Sequence, residues 1–162
     1  MKRFSRIALM TLAMVVADLA QPTVLRAQGA NERANLTVAE IAGPQRLRIG
    51  LSGTYKVTIQ NINLQTVPVE LHIIFAGKAD QTGRIVADGG LACEVGHDAG
   101  INAVVRCTGG EIEAGGTVTV VVQARGQAFG IGQLVVTVNA SRSVLEESYE
   151  DNLKQFTVYV DT

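Results

Sequence analysis

Apolar and polar residues alternate with a period of two along most of the chain from residue 35 onward. The runs TYKVTIQN, VPVELHIIF, TVTVVVQAR, QLVVTVNAS and QFTVYV place apolar residues at every second position. Successive side chains of a β-strand point to opposite faces, so each run predicts a strand with one buried and one solvated face. The predicted inward residues are Tyr55, Val57, Ile59, Val69, Leu71, Ile73, Phe75, Val118, Val120, Val122, Leu134, Val136, Val138, Phe156, Val158 and Val160.

Glycine clusters separate these runs, for example the pairs at 89–90, 109–110 and 115–116. Glycine reaches positive φ without a steric penalty, so its clustering between apolar runs predicts turns. With NLTVAEI, LACEV and AVVRCT added, the chain has seven or eight candidate strands and no helical pattern between them. This spacing predicts an all-β domain at residues 35–162, an antiparallel sandwich of two sheets.

The N-terminal residues follow a different pattern. Lys2, Arg3 and Arg6 precede a short apolar run, which ends before the roughly 20 residues that a bilayer span needs. A basic start, a short apolar segment and small residues after it are typical of a secretory signal peptide. We predict a signal peptide at residues 1–27, cleaved after Ala27 rather than Ala20, and a short flexible segment at 28–34. An uncleaved N-terminal anchor is the alternative.

Cleavage would change the charge of the chain. Of 14 basic and 15 acidic side chains, residues 1–27 contain four and one, so the mature chain has a net charge of −4 (10 − 14). A mildly acidic chain without a basic cluster is poorly suited to neutralise phosphates, so we expect no nucleic-acid partner. We also expect no cofactor and no membrane span after cleavage, and the GQAFGIG stretch lacks the lysine of a phosphate-binding loop.

Two cysteines, Cys93 and Cys107, lie in neighbouring candidate strands. In an oxidising compartment an even pair predicts a disulfide, here one that would pin a hairpin. A zinc site is the alternative, but it needs four ligands at close spacing, and the only histidines, His72 and His97, are not at such a spacing.

Three segments, in this order, resemble the bacterial cell-adhesion-related domain family, CARDB. They are NLTVAEIAGPQRLRIGLSGTYKVTIQN, CEVGHDAGINAVVRCTGGEIEAGGTVTVVVQA and VLEESYEDNLKQFTVYV. The last is similar to the family's E-S-x-E-x-N-N motif, with Leu153 in place of its second asparagine. The resemblance implies an immunoglobulin-like sandwich in a secreted or periplasmic bacterial protein. It also implies a structural, adhesive or protein-binding role in the cell envelope, with an unknown protein or cell-surface component as partner.

The stretch LEESYEDN carries four carboxylates and is the main candidate for chemistry. One interpretation is a calcium- or small-ligand-binding module that uses the acidic connection at residues 146–152. A calcium site would be built from Glu147, Glu150 and Asp151, although the glycine and the alternation of an EF-hand loop are missing. The other is a turn in which Asp151 and Asn152 bond local backbone while the glutamates stay solvated. We predict no catalytic residues, and a hydrolase is the less favoured alternative. That alternative would need Glu, His or Ser side chains that converge in a cleft.

Three apolar residues fall on outward positions of separate strands: Ile74, Val121 and Val135. If those strands are neighbours, the three side chains form an apolar stripe of the kind that marks a partner surface. Burial beneath a loop is the alternative, since continuous apolar runs usually indicate strands covered on both faces.

Overall fold

The computed structural model describes residues 34–99 and 102–162, so the predicted signal peptide and all but residue 34 of the predicted 28–34 segment lie outside the described residues. The described part has ten strands and one 3-10 helix. These are β1 Leu36–Ala42, β2 Arg46–Arg48, β3 Ser52–Asn61, β4 Val67–Gly77, β5 Ala79–Ala87, β6 Ala92–Asp98, β7 Asn102–Ile112, β8 Thr117–Gly126, β9 Gly130–Val138, η1 Glu150–Asn152 and β10 Leu153–Asp161. No helix within the described ranges has the length and apolar character needed to cross a bilayer.

The strands form two sheets that enclose one core. The four-stranded sheet has the order β1-β3-β8-β5, and the six-stranded sheet has the order β2-β10-β9-β4-β7-β6. Neighbours are antiparallel, except that β2 runs parallel to β10. All the predicted inward residues are buried apart from Phe156, which is half-buried and packs against the core. The predicted antiparallel β-sandwich is therefore confirmed.

The eight predicted strands are all present, and the structure adds β2 and β5. Strand β2 is three residues long and buries only Leu47. Strand β5 is ADQTGRIVA, in which Ala79 is the only fully buried residue. Neither segment carries the alternating apolar pattern, because each has only one fully buried side chain.

Tyr55 of the four-stranded sheet joins the two layers. Its ring lies edge-on to Phe156 of the six-stranded sheet, with 5.7 Å between centroids. Its hydroxyl donates to the carbonyl of Pro44 at 2.9 Å, and burial raises the pKa of Tyr55 to about 12. A β-carbon at Gly43 would lie 2.3 Å from this ring, so the chain needs glycine there to pass close to the tyrosine.

Candidate functional site at the β9–β10 connection

The acidic stretch lies in the connection between β9 and β10, which Asn139 organises from the inside. Asn139 is buried and has a φ of 50°, a left-handed conformation that asparagine tolerates better than most residues. Its amide nitrogen donates to the carbonyl of Val144 at 2.7 Å, and its oxygen accepts from the Val144 amide at 3.1 Å. The side chain therefore holds the loop 139–144 in the way that a β-ladder holds a hairpin.

Glu146 is the centre of a buried polar network and is only 3% exposed. One carboxylate oxygen accepts from the backbone amide of Leu36 in β1 at 2.6 Å. The other accepts from the side-chain amides of Asn139 and Asn152, the latter at 2.7 Å. Backbone hydrogen bonds join the same segments: Ala34 donates to Leu145, and Glu147 donates to Ala34, both at 3.0 Å.

Among the described residues, this carboxyl group offsets the cost of its burial with hydrogen bonds. A buried ionised group is costly unless it is well hydrogen-bonded, and N–H donors to a carboxylate are among the stronger hydrogen bonds. Neither ion pair found among the described residues involves Glu146. The Tyr149 hydroxyl adds support, since it accepts from the Glu146 amide at 3.3 Å and donates to Val144. Glu146 is thus a fastener between the N-terminal edge strand and the β9–β10 connection.

The expectation that the glutamates of this stretch stay solvated is wrong for Glu146 and correct for Glu147 and Glu150, which are exposed. Leu36, which donates to Glu146, is 110 residues away from it in the sequence, so the local pattern of the acidic stretch could not predict this hydrogen bond. The only sequence signal was an acidic residue at the position of Glu146 with Asn139 and Asn152 on either side.

Three side-chain oxygens around this network are buried and accept no hydrogen bond from the described residues. They are the Oδ1 atoms of Asn35, Asp151 and Asn152. The orientation of Asn152 is set, because its nitrogen donates to Glu146. Buried acceptors without donors are places where a water or a cation is expected. Within the described part of the chain, however, no three His, Cys, Asp or Glu side chains are grouped closely enough to hold a metal.

A shallow depression of about 220 Å³ lies beside the connection. Asn139, Arg142, Tyr149 and Asn152 contribute to its wall. The Arg142 guanidinium lies 4.9 Å from the centre of the Tyr149 ring, a cation–π distance. Because this wall carries a cation, the depression is a poor place for a metal ion.

A serine, a glutamate and a histidine meet on the surface beside this connection. Glu70 accepts from the Ser141 hydroxyl and backbone amide through one oxygen, and its other oxygen lies 3.1 Å from His72 Nε2. Burial works to raise the pKa of Glu70, but the bonds from Ser141 and the nearby His72 outweigh it and hold that pKa below its ordinary value. Glutamate stands in the middle of the three. A hydrolytic triad instead needs histidine between serine and carboxylate, so that it can take the serine proton.

The two cysteines are joined by a disulfide across β6 and β7, with their Cα atoms 4.0 Å apart. They are direct partners in the ladder, and this ladder is regular from Ala92 to Asp98. Cys107 is fully buried in the core, whereas Cys93 lies on the edge strand. His97 follows on the same exposed strand and faces solvent. The bond therefore attaches the edge strand to the core.

The predicted apolar stripe is only partly formed. Ile74 and Val135 are direct partners in β4 and β9 and are half-buried on the outer face of the six-stranded sheet. Val121 lies in β8, in the other sheet, opposite Lys56 and Val86. A stripe across all three strands was the wrong expectation, because alternation shows which face a residue occupies but not which strands are neighbours.

Comparison with solved structures shows the same fold in three modules. A crystal structure of a CARDB domain from Pyrococcus furiosus, in complex with di-metal ions, has a TM-score of 0.59 at 17% identity, over 80% of this chain and 90% of that chain. A solution NMR structure of a CARDB domain from the same organism has a TM-score of 0.57 at 18% identity, over 80% of this chain and 96% of that chain. A cohesin module from a family 33 glycoside hydrolase of Clostridium perfringens has a TM-score of 0.51 at 15% identity, over 80% of this chain and 98% of that chain.

At these identities the likeness concerns the fold alone. The described residues form an immunoglobulin-like β-sandwich of the kind found in CARDB domains. No family model and no curated protein matches the chain.

Proposed function

We propose that the chain is an exported, non-catalytic module that binds another protein of the bacterial cell envelope through the outer face of its six-stranded sheet. The observation that carries this proposal is an apolar strip at the centre of that face. The strip crosses three adjacent strands at one level and consists of Val135, Ile74 and Val104.

The strip is bordered by two rows that are polar apart from Ala76. Ile74 and Val135 are half-buried and form the accessible part of the strip, whereas Val104 of β7, opposite Ile74, is only 2% exposed and lies outside the main core. One neighbouring row contains Thr137, His72, Arg106 and Glu94, and the other contains Thr157, Gln133 and Ala76. An apolar centre with a polar, charged rim is typical of protein–protein interfaces.

The other parts of the proposal have separate support. The disulfide favours an oxidising compartment, in agreement with the predicted signal peptide. The non-catalytic role is supported by the use of the acidic side chains, since Glu146 serves as a fastener and Glu70 separates Ser141 from His72. The CARDB and cohesin folds are also consistent with a binding module.

Photo-cross-linking in the envelope tests the surface. A photoreactive amino acid at Ile74 or Val135 should give the same single adduct in cells, whereas the same group at Val121, on the outer face of the other sheet, should give none. An untagged competitor chain should abolish the adduct, and a competitor carrying Ile74→Asp should not. Equal adducts from all three positions, or none from any, would contradict the proposed face.

A second candidate function is cation binding at the acidic connection. It is favoured by the unpaired buried oxygens of Asn35, Asp151 and Asn152, and a CARDB domain with this fold was solved with di-metal ions. The test is thermal unfolding with and without calcium. Binding would raise the midpoint in the native chain, and Asp151→Asn should remove that rise. A variant combining Glu147→Gln with Glu150→Gln shows whether the exposed pair takes part. An unchanged midpoint at millimolar calcium would exclude this candidate.

A further inference from the structure

The four edge strands of the sandwich differ in their protection against pairing with another strand. Natural edges are usually blocked by bulges, charges or shortness. In β1 a register shift follows Val38, and the Lys154 ammonium donates to the carbonyl of Ala39 at 2.6 Å. In β5 the register shifts after Thr82, and the Gln81 amide bonds the carbonyls of Thr82 and Gly83. Strand β2 has three residues, two of them arginines.

Among the described residues, strand β6 has no bulge, and the charges that it carries are those of Glu94 and Asp98. Its seven residues pair with β7 without a register shift, and they include neither proline nor lysine. No hydrogen bond from a described side chain reaches its backbone. The disulfide to Cys107 ties the strand to its neighbour at one ladder pair.

The cysteine pair also shows which backbone groups of β6 are free. A Cα separation of 4.0 Å identifies Cys93 and Cys107 as a non-hydrogen-bonded pair of the antiparallel ladder. The amides and carbonyls of such residues point away from the partner strand. Since the ladder alternates, the backbone groups of Cys93, Val95 and His97 all point outward from the sheet edge.

We propose that this edge binds the β6 strand of a second copy of the chain, antiparallel, about a two-fold axis at Val95. In this register Val95 faces the second copy's Val95, and Cys93 faces the second copy's His97. These are the residues whose backbone groups are free, so about six hydrogen bonds form across the axis. The two six-stranded sheets become one continuous sheet, the closed isologous contact that most soluble dimers use.

The side chains fit this two-fold register. Val95 is 49% exposed, although its ladder partner Val105 is fully buried, and pairing would cover it. Glu94 would lie opposite the second copy's Gly96. Over Gly96 lies the Arg106 guanidinium, since a β-carbon there would stand 2.8 Å from Nη1. Each Glu94 thus meets an Arg106 of the other copy, and no two like charges lie directly opposite.

This inference concerns the edge of the sheet rather than its outer face, and its variants at Val95 test it apart from the proposed function, whereas Glu94 and Arg106 also lie in a polar row that borders the proposed face. Sedimentation equilibrium of the purified mature chain, residues 28–162, with the disulfide intact, should show a monomer–dimer equilibrium. Val95→Pro removes an outward amide without removing a ladder bond, and it should raise the dimer dissociation constant about tenfold or more, since two cross-axis bonds are lost. A chain that stays monomeric at millimolar concentration would overturn the proposal.

Cross-linking and charge exchange test the register. Under mild oxidation, Val95→Cys should form a dimer through a disulfide between the two introduced thiols, identified by mass spectrometry of the linked peptide. Val86→Cys on the edge strand β5 is the matched control, because the native valine is 53% exposed, and this variant should not form a disulfide-linked dimer.

Glu94→Arg should weaken the dimer, and adding Arg106→Glu should restore it, whereas a merely misfolded variant would not recover. A dimer unaffected by Val95→Pro and by Glu94→Arg would use another surface and would also overturn the proposal. Cross-linking of both cysteine variants to the same extent would show non-specific association, with the same consequence.

Discussion

The β9–β10 connection and the β6–β7 hairpin both attach peripheral chain to the sandwich, but they do so with different chemistry. The connection is held by a buried carboxylate that accepts bonds from Leu36, Asn139 and Asn152. The hairpin is held by one covalent bond between an edge cysteine and a core cysteine. Four carboxylates near one turn suggested a ligand site, yet the most buried of them serves the fold. Among its described residues, the β6–β7 hairpin has no such polar network, and its strand β6 lies at the edge of the sheet.

The largest expected effect is the loss of the Glu146 carboxylate. Glu146→Ala leaves one backbone amide and two side-chain amides without their buried acceptor, so we expect a loss of about 4 kcal/mol in the free energy of unfolding. Chemical denaturation measures this change, and amide exchange should quicken first in β1 and in residues 139–152. Glu147→Ala is the control, since the exposed neighbour should cost less than about 0.5 kcal/mol. Similar losses in the two variants would show that the network is not a fastener.

Removal of the disulfide should have the next largest effect. Replacing Cys93 and Cys107 together with alanine should cost about 3 kcal/mol, because the bond closes a loop of sequence separation 14. Loss of the disulfide should destabilise a different part of the molecule from loss of the Glu146 carboxylate. Amide exchange should rise in β6 while β1 keeps its protection. If β1 and the connection lost protection as well, the two regions would not be independent fasteners.

A third change tests the connection from the side of its asparagine. Asn139→Ala removes three hydrogen bonds, to Val144 and Glu146, and places alanine at a positive φ. We expect a loss of about 2 kcal/mol, measured by urea unfolding. Asn139→Gly keeps the backbone conformation accessible, so it should lose less than alanine. If glycine cost more than alanine, the strain at this position would not matter.

The core strands could be predicted from the sequence because each one shows its buried face as an alternation of apolar and polar residues. Alternation depends only on neighbouring residues, so it placed Val57 and Val120 on the inner face without knowledge of the sheet order. The order of strands is a non-local property, and this is why Ile74 and Val135 were expected in one stripe with Val121. Strands with one buried residue, such as β2 with Leu47, leave too little pattern to be recognised.

The role of Glu146 was beyond sequence reasoning for the same physical reason. The free-energy cost of burying a carboxylate is offset only where several hydrogen-bond donors converge on it. The donor at Leu36 reaches Glu146 because β1 packs against the other sheet. The disulfide, in contrast, needed only the compartment rule and two neighbouring strands. Local patterns therefore predicted the covalent fastener and missed the polar one.

The smallest expected effect is the pH dependence contributed by Glu70, at the boundary of the connection. The pKa of Glu70 is lower in the folded chain than its ordinary value of 4.5, so the folded state holds the ionised form more strongly. That stabilisation is fully present above 4.5 and is lost as the pH falls through the lowered folded pKa.

Ser141→Ala removes one of the two bonds that Ser141 donates to Glu70, so at neutral pH it should cost a few tenths of a kcal/mol, as expected for a partly exposed site. The difference from the native chain should shrink as the pH is lowered well below 4.5, because protonated Glu70 no longer favours the bond. Ser143→Ala is the control, since that hydroxyl makes only a 3.5 Å contact with Asn139 and should show no such trend. A difference between native and Ser141→Ala chains that stayed constant from neutral to acid pH would show that the hydroxyl stabilises the loop without acting through the Glu70 charge.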